Sequence, residues 1–268
     1  MLENRKNDFN IHLPPIGMYE SEIESFDSLL DKDNLERLRD HASSNNVVSG
    51  NLMLFSKRLS SEDISKVNNF FPGFLKTALL DPYLPDLDAY VGWCVARDIK
   101  LFKFHPYFQR LGADAHIKVL EAARTICRHG GGLVICCSYG TKYLYAIDSL
   151  KLLTEILIED FFTGPIVALH SGGRRFLDVM AIAQETPNLF LDTSFSVPFW
   201  EGSSVEIDIV FGLKTLGSTR FLYGSDFPYC SMEESESSLC RMMDQANFDE
   251  ADFNNVFRDN YSRLRDCL

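Results

Sequence analysis

The chain has no apolar run near the roughly 18 residues that a membrane-crossing helix needs. Its opening, Met1-Leu2-Glu3-Asn4-Arg5-Lys6-Asn7-Asp8, is too polar for the apolar centre of a signal peptide. It also lacks a block of Lys and Arg: 26 basic residues face 38 acidic ones, for a formal net charge of −12. Such a field repels nucleic acid and anionic membrane surfaces, so neither is an expected partner. The cysteines, Cys94, Cys127, Cys136, Cys137, Cys230, Cys240 and Cys267, have neither zinc-finger nor secreted-scaffold spacing, and adjacent Cys136 and Cys137 do not easily bridge each other. Free thiols in a reducing cytoplasm are the expectation. There is no internal repeat, no low-complexity tract and no Pro/Gly/Ser linker long enough to divide domains. What is present is ordinary globular material, 46% hydrophobic and 24% charged, read as a single unit over residues 1–268.

Eight short apolar runs bounded by turn residues stand out: Phe9-Leu13, Val47-Phe55, Phe74-Leu80, Ile99-His105, Leu133-Cys137, Ile166-His170, Leu189-Thr193 and Phe221-Asp226. Several are apolar on both faces, as a parallel strand covered on both sides requires. Helical spacing fills the gaps. After Pro85, Leu87, Tyr90, Val91, Cys94 and Val95 recur at i, i+3, i+4, i+7 and i+8. Ile117, Leu120, Ala123 and Cys127 form a second stripe that stops at Gly130-Gly131-Gly132, and Leu150, Leu153, Leu157 and Phe161 a third. Phe176, Val179, Met180 and Ala183 form a fourth, closed by Pro187, and Ser231 with Glu234 reads as a capping box opening a late helix. All these stripes read as core packing. Strands that alternate with helices in this way predict an α/β protein, a closed (β/α)8 TIM barrel. An open doubly wound sheet is disfavoured, because the first junction, Leu13-Pro14-Pro15-Ile16-Gly17, carries no Gly-rich phosphate loop.

In such a barrel the chemistry sits where the strands end. There the sequence places Asp8, Asn10, His12, Lys103, His105, Cys136, His170, Asp192 and Asp226. Residues two apart share a strand face, so Asn10 with His12, and Lys103 with His105, point together into the mouth. A lone His105 or His170 reads as readily as an imidazole that satisfies a buried carbonyl. Asp226, after the apolar Phe221-Leu222-Tyr223, needs a cation or several donors to stay ionised. His41, His116 and His129 fall in helical segments and are assigned to the surface or to caps. Together His12, His170 and Asp226 make a facial set for Zn2+ or a similar divalent ion, with one position open for water. Such an ion makes hydroxide available near neutral pH. Cys136 reads equally as a fourth ligand or as a small buried hydrophobe.

Asp8-Phe9-Asn10-Ile11-His12, Leu101-Phe102-Lys103-Phe104-His105-Pro106, Val167-Ala168-Leu169-His170-Ser171-Gly172-Gly173, Asn188-Leu189-Phe190-Leu191-Asp192-Thr193-Ser194 and Arg220-Phe221-Leu222-Tyr223-Gly224-Ser225-Asp226-Phe227-Pro228 occur in an order that resembles the amidohydrolase superfamily. The likeness is to its compact amidohydrolase-2 type metal-dependent hydrolases and decarboxylases. It implies roles in metal binding or acid/base catalysis for His12, His170 and Asp226. Two positions depart from the family pattern: Asn10 stands at the first histidine of Asp-x-His-x-His, and Cys136 at the fifth-strand histidine. Asparagine is a poor ligand for a transition metal and cysteine must first lose a proton. A two-metal centre bridged by carboxylated Lys103 is therefore not expected.

The resulting expectation is a hydrolase with one divalent metal ion, Zn2+ first, held by His12, His170 and Asp226, with Asn10 and Cys136 as further candidate ligands. Its substrate is a small molecule, anionic or cyclic, such as a lactone, an amide or a carboxylated ring. Asp226, His170 and His105 are the catalytic candidates. Lys103, Arg174 and Arg175 are the substrate-binding candidates, although the two arginines read equally as a solvated helix start. Three competitors stand beside it: a decarboxylase on the same rim, a metal-free barrel serving as lactonase or binding module, and a thiol mechanism through Cys136 or Cys137. Tyr107, Phe108, Tyr139, Phe199 and Trp200 read as pocket walls or as packing, and a homo-oligomer is compatible with the sequence.

Overall fold

The computed structural model describes residues 5–13, 30–56, 58–138, 142–143 and 146–268. Met1 to Asn4, the junction after Leu13 and Tyr139 lie outside the described residues. All eight apolar runs are strands: β1 (Lys6–Leu13), β2 (Val47–Leu54), β3 (Leu75–Leu79), β4 (Leu101–Phe104), β5 (Gly132–Cys136), β6 (Ile166–Leu169), β7 (Leu189–Asp192) and β8 (Phe221–Leu222). They are parallel and pair in chain order. Such an order leaves β1 and β8 as edges, and backbone hydrogen bonds join them. The Phe9 N–H donates to Tyr223 O, the Asp226 N–H to Asn10 O and the His12 N–H to Phe227 O, each at 2.8 Å. The fold is thus the (β/α)8 TIM barrel that the sequence predicts.

The stripes fall on helices Leu87–Val95, His116–Arg128, Ser149–Ile158 and Phe176–Glu185, except that Phe161 lies beyond the third of these helices and Ile117 is exposed, the second helix burying Val119, Ala122, Ala123 and Ile126 instead. Ser231 opens Met232–Gln245 by accepting from the Glu234 N–H at 3.0 Å. Among the described residues no helix is long and apolar enough to cross a membrane.

Two strands differ from expectation. β8 is short, because beyond Leu222 the chain leaves the β7 ladder and continues along β1. β1 starts earlier, at Lys6, and carries a register shift between Asp8 and Ile11, where one extra residue opposes β2. Strict alternation would put Phe9, Ile11 and Leu13 on one face. Instead Phe9 packs in the barrel interior with Met53, Leu101, Val134 and Val167, whereas Ile11 and Leu13 pack outside under the helices. The bulge supplies this change of phase, a device common at barrel rims and next to functional sites.

The C-terminal helix Asn260–Asp266 adds Tyr261 and Leu264 to the interior cluster. The Tyr261 hydroxyl donates to Gly50 O at 2.6 Å and accepts from the N–H of Leu75, the first residue of β3, so this helix stops the N-terminal end of the barrel. The functional rim is left at the opposite end.

Close packing at that rim depends on Gly224. A Cβ there would overlap the Asp192 carboxylate and stand 3.1 Å from the Cβ atoms of both Asn10 and Ser194. Gly224→Ala should therefore cost about 2 kcal/mol by overpacking, read as a lower urea midpoint with unchanged slope. An unchanged midpoint would show that the rim can relax around the methyl group.

Candidate functional site

The β1–β8 closure brings His12, Asn10 and Asp226 together. Asp226 Oδ1 accepts from His12 Nε2 at 3.1 Å and from Asn10 Nδ2 at 3.0 Å. Asn10 Nδ2 also donates to Ser194 Oγ at 2.7 Å, and that hydroxyl donates in turn to Asp192. Asp192 Oδ2 accepts from the His170 backbone N–H at 3.1 Å, and His170 Nδ1 donates to the Ser194 carbonyl at 3.1 Å. A buried belt of Asn10, Ser194 and Asp192 therefore ties Asp226 to His170 across the end of the barrel. His170 and Asp226 both adopt left-handed backbone conformations, with φ of 61° and 62°. Non-glycine residues hold this region at about 1–3 kcal/mol each, and such strain gathers at functional sites. The turn after His170 needs Gly173, where any side chain would strike the Ser138 carbonyl.

The belt floors a cavity of about 240 Å³. Its polar wall includes His12, Lys103, His105, Cys136, Ser138, His170 and Asp226, and the aromatic rings of Phe55, Tyr107, Phe195 and Tyr229 complete it. Lys103 is 1% exposed, and its ammonium lies 4.6 Å from the centre of the Phe55 ring. Phe55 also flanks His12, with ring centres 5.0 Å apart.

Burial and charge set the protonation of these groups. Burial works against ionisation of Asp226, but the His170 charge, the His12 hydrogen bond and the Lys103 ammonium hold its carboxyl below the ordinary range. Burial, followed by the Lys103 charge, pushes His12 down to about 4, so it is neutral near pH 7 and gives its Nε2 proton to Asp226. His170 behaves oppositely. Burial would lower it, but the Asp226 charge and then the hydrogen-bonded Cys136 sulfur raise it to about 9. Cys136 is the complement: burial would raise it, yet the charges and hydrogen bonds of His105 and His170 hold the thiol well below its usual range. The cavity thus sets an ionised Asp226 beside a protonated His170 near neutral pH, with the Cys136 thiol pushed toward ionisation.

The resemblance seen in the sequence implies a divalent ion, and the donor set does not fit one. Among the described residues no three His, Cys, Asp or Glu side chains are grouped as ligands. Asn10 turns its NH2 group toward Asp226, while its oxygen, the atom that could ligate, is buried without a partner. His12 commits its Nε2 proton to the same carboxylate oxygen. Lys103 also faces the place a dication would enter. The expected ligands His12, His170, Asp226, Asn10 and Cys136 gather at one rim, where the Asn10 amide and the His12 imidazole are both bonded to the Asp226 carboxylate.

Other placements also differ. Arg174 and Arg175 do not line the cavity: Arg174 is exposed, and Arg175 is paired with Asp148 at 3.1 Å and Asp178 at 2.7 Å. His116 is buried rather than on the surface, its Nδ1 2.6 Å from Glu155. His41 stacks on Phe227, and His129 follows a helix end beside Asp88. Tyr107 lines the cavity, Phe108 packs against Phe55 and His105, and Phe199 stacks on Phe195 outside the lining. Trp200 is also outside it. Sequence reasoning missed Ser194, Phe55, Phe195 and Tyr229. Ser194 alone had a signal, its place two residues after Asp192 on the same rim.

Residues 146–264 match the family model described as Amidohydrolase. No curated protein sequence matches the chain. Solved structures do. A probable 2-pyrone-4,6-dicarboxylic acid hydrolase from Acinetobacter baumannii, with citric acid bound, has a TM-score of 0.68 at 14% identity, covering 97% of this chain and 98% of its own. An amidohydrolase from Burkholderia multivorans with bound HEPES has a TM-score of 0.65 at 13% identity, covering 97% and 98%. A 2,6-dihydroxybenzoate decarboxylase in complex with 2,6-dihydroxybenzoate has a TM-score of 0.63 at 13% identity, covering 97% and 99%. At these identities the likeness is one of fold. The matched segment, less than half of the chain, holds β6 to β8 and so His170, Asp192 and Asp226, and over these residues the chain is similar to the Amidohydrolase family in sequence as well as in fold.

Asp8, beneath the belt, gives a direct test of the site's dryness. It is fully buried, Oδ1 accepts from the Asn10 and Ser225 N–H groups at 3.1 and 2.9 Å, and Oδ2 has no partner. Burial raises its carboxyl from 3.8 to about 7. An unfolded aspartate ionises near 4, so the penalty for Asp8 grows as pH rises from about 4 to 7 and is constant above. Asp8→Asn should leave stability near pH 4 almost unchanged and raise it by about 4 kcal/mol at pH 8. Paired urea titrations at the two pH values check this, and an equal effect at both would contradict it.

Proposed function

We propose that this protein is an enzyme that hydrolyses a small carbonyl compound bearing a carboxylate, a cyclic ester being the class that fits best, and that its own side chains do the work a metal does elsewhere. The observation that carries this reading is the meeting of an ionised Asp226 with two cations, Lys103 and protonated His170, around one small cavity. A carboxylate held ionised beside donors is a base for water, and buried cations stabilise the negative charge that develops on a carbonyl oxygen.

In this scheme Lys103 and His170 hold the substrate carbonyl and stabilise its oxyanion. Asp226 takes the proton from the attacking water, while His12 and Asn10 fix its orientation through Oδ1. The aromatic walls suit a flat ring, and Lys103 and His170 in the same lining suit an anionic substituent. The shared fold of the probable 2-pyrone-4,6-dicarboxylic acid hydrolase supports this class, since a 2-pyrone is a cyclic ester and that substrate carries two carboxylates.

A panel of carboxylated lactones tests the reading, with ring opening followed by mass spectrometry in 18O-water. The expected product carries one oxygen from solvent. Asp226→Asn should lower kcat by about 10³-fold, and kcat/KM should fall as pH rises through about 9, where His170 loses its proton. Release of CO2 without oxygen uptake from water would overturn hydrolysis in favour of decarboxylation.

A further inference from the structure

Activation of water by Asp226 leaves the most unusual side chain of the cavity unused. Cys136 ends β5, between β4 and β6, and is 1% exposed, yet its side chain belongs to the cavity wall. It is flanked on both sides: His105, following β4, and His170, following β6, line the same cavity, and Ser138 Oγ lies 3.7 Å from the sulfur. Each imidazole is oriented through its Nδ1. His170 Nδ1 is held by the Ser194 carbonyl at 3.1 Å, and His105 Nδ1 accepts from the Phe108 N–H at 3.4 Å. A nucleophile beside a base that a third group orients is the arrangement on which covalent acyl transfer depends. The neighbouring Cys137 packs in the outer cluster under the helices, where burial drives its thiol up and keeps it protonated.

We propose that Cys136 is a covalent nucleophile, which attacks the substrate carbonyl to form a thioester that Asp226-activated water then hydrolyses. The inference rests on the hydrolase reading above and gives it a first step. The thiolate pair of electrons forms the C–S bond, and the carbonyl electrons move to an oxygen held by Lys103. When that tetrahedral adduct collapses, the ring C–O bond breaks and the departing alkoxide takes a proton from the His170 imidazolium. Water then attacks the thioester and loses its proton to Asp226, the C–S bond breaks, and the thiolate is restored. The Asp226 proton returns to His170, and the product acid releases its own to solvent. The sum is one lactone and one water giving one hydroxy acid, with no oxidant or reductant required.

The test uses the full chain and 4-nitrophenyl acetate, a small ester that acylates thiolates, with acid quenching, intact mass and peptide mapping. One acetyl group on Cys136 is expected, retained in Cys137→Ala and absent from Cys136→Ala. It should accumulate in Asp226→Asn, where the water step is slowed. Cys136→Ala should also lower turnover of the lactone panel by about 10³-fold or more, because a nucleophile that acts as part of a unit carries most of its effect. Thermal melting of each variant separates loss of chemistry from loss of fold. Wild-type lactone hydrolysis that survives in Cys136→Ala would overturn the covalent step and leave the hydrolase reading standing. Acetylation of Cys136 with no lactone opened would uphold the nucleophile and sink that reading. Acetyl groups confined to other cysteines, the exposed Cys267 foremost, would overturn the inference outright.

Discussion

The pairing of Phe9, Asn10 and His12 with Tyr223, Asp226 and Phe227 is the constraint from which the site follows. It closes the barrel between its first and last strands, and the same backbone bonds fix where His12 and Asp226 stand. The bulge in β1 turns Phe9 inward against the interior cluster and leaves Asn10 and His12 to meet the carboxylate. The C-terminal helix seals the far end, so the chemistry has a single floor to rest on.

On that floor the electrostatics are mutual. Asp226 stays ionised in a dry place because His170, His12 and Lys103 stand round it, and His170 stays protonated because Asp226 and Cys136 do. Removing any one shifts the others, since burial penalises each charge that loses its partner. An imidazolium–thiolate pair carries as many protons as an imidazole–thiol pair. The pairing of His170 with Cys136 therefore alters reactivity while adding little pH dependence to stability between the ordinary pKa values of the two groups.

Much of this architecture is visible in the chain itself. Runs such as Leu133-Val134-Ile135, apolar on both faces, are readable as strands because a parallel sheet covered on both sides permits little else, and the polar residues that end them mark the rim. The residues on that rim were legible; their partnerships were not. Asn10 acts as a hydrogen-bond donor because Ser194 and Asp226 both face it, and a sequence does not show that pairing across distant strands. Arg175 follows the glycines where a substrate clamp is plausible, but Asp148 and Asp178 lie closer. His116 has helical spacing typical of a surface residue and is buried against Glu155 of another helix. The phase of β1 escaped for a like reason, since one inserted residue reverses the faces without altering composition.

The central claim is that ordinary side chains occupy, in position and in charge, the place of a metal centre at this rim. Elemental analysis of protein purified without chelator, joined to lactone hydrolysis before and after chelator treatment, tests it most directly. The account predicts well under one divalent ion per chain and an unchanged rate. A stoichiometric ion whose removal abolishes hydrolysis, and whose return restores it, would contradict the account.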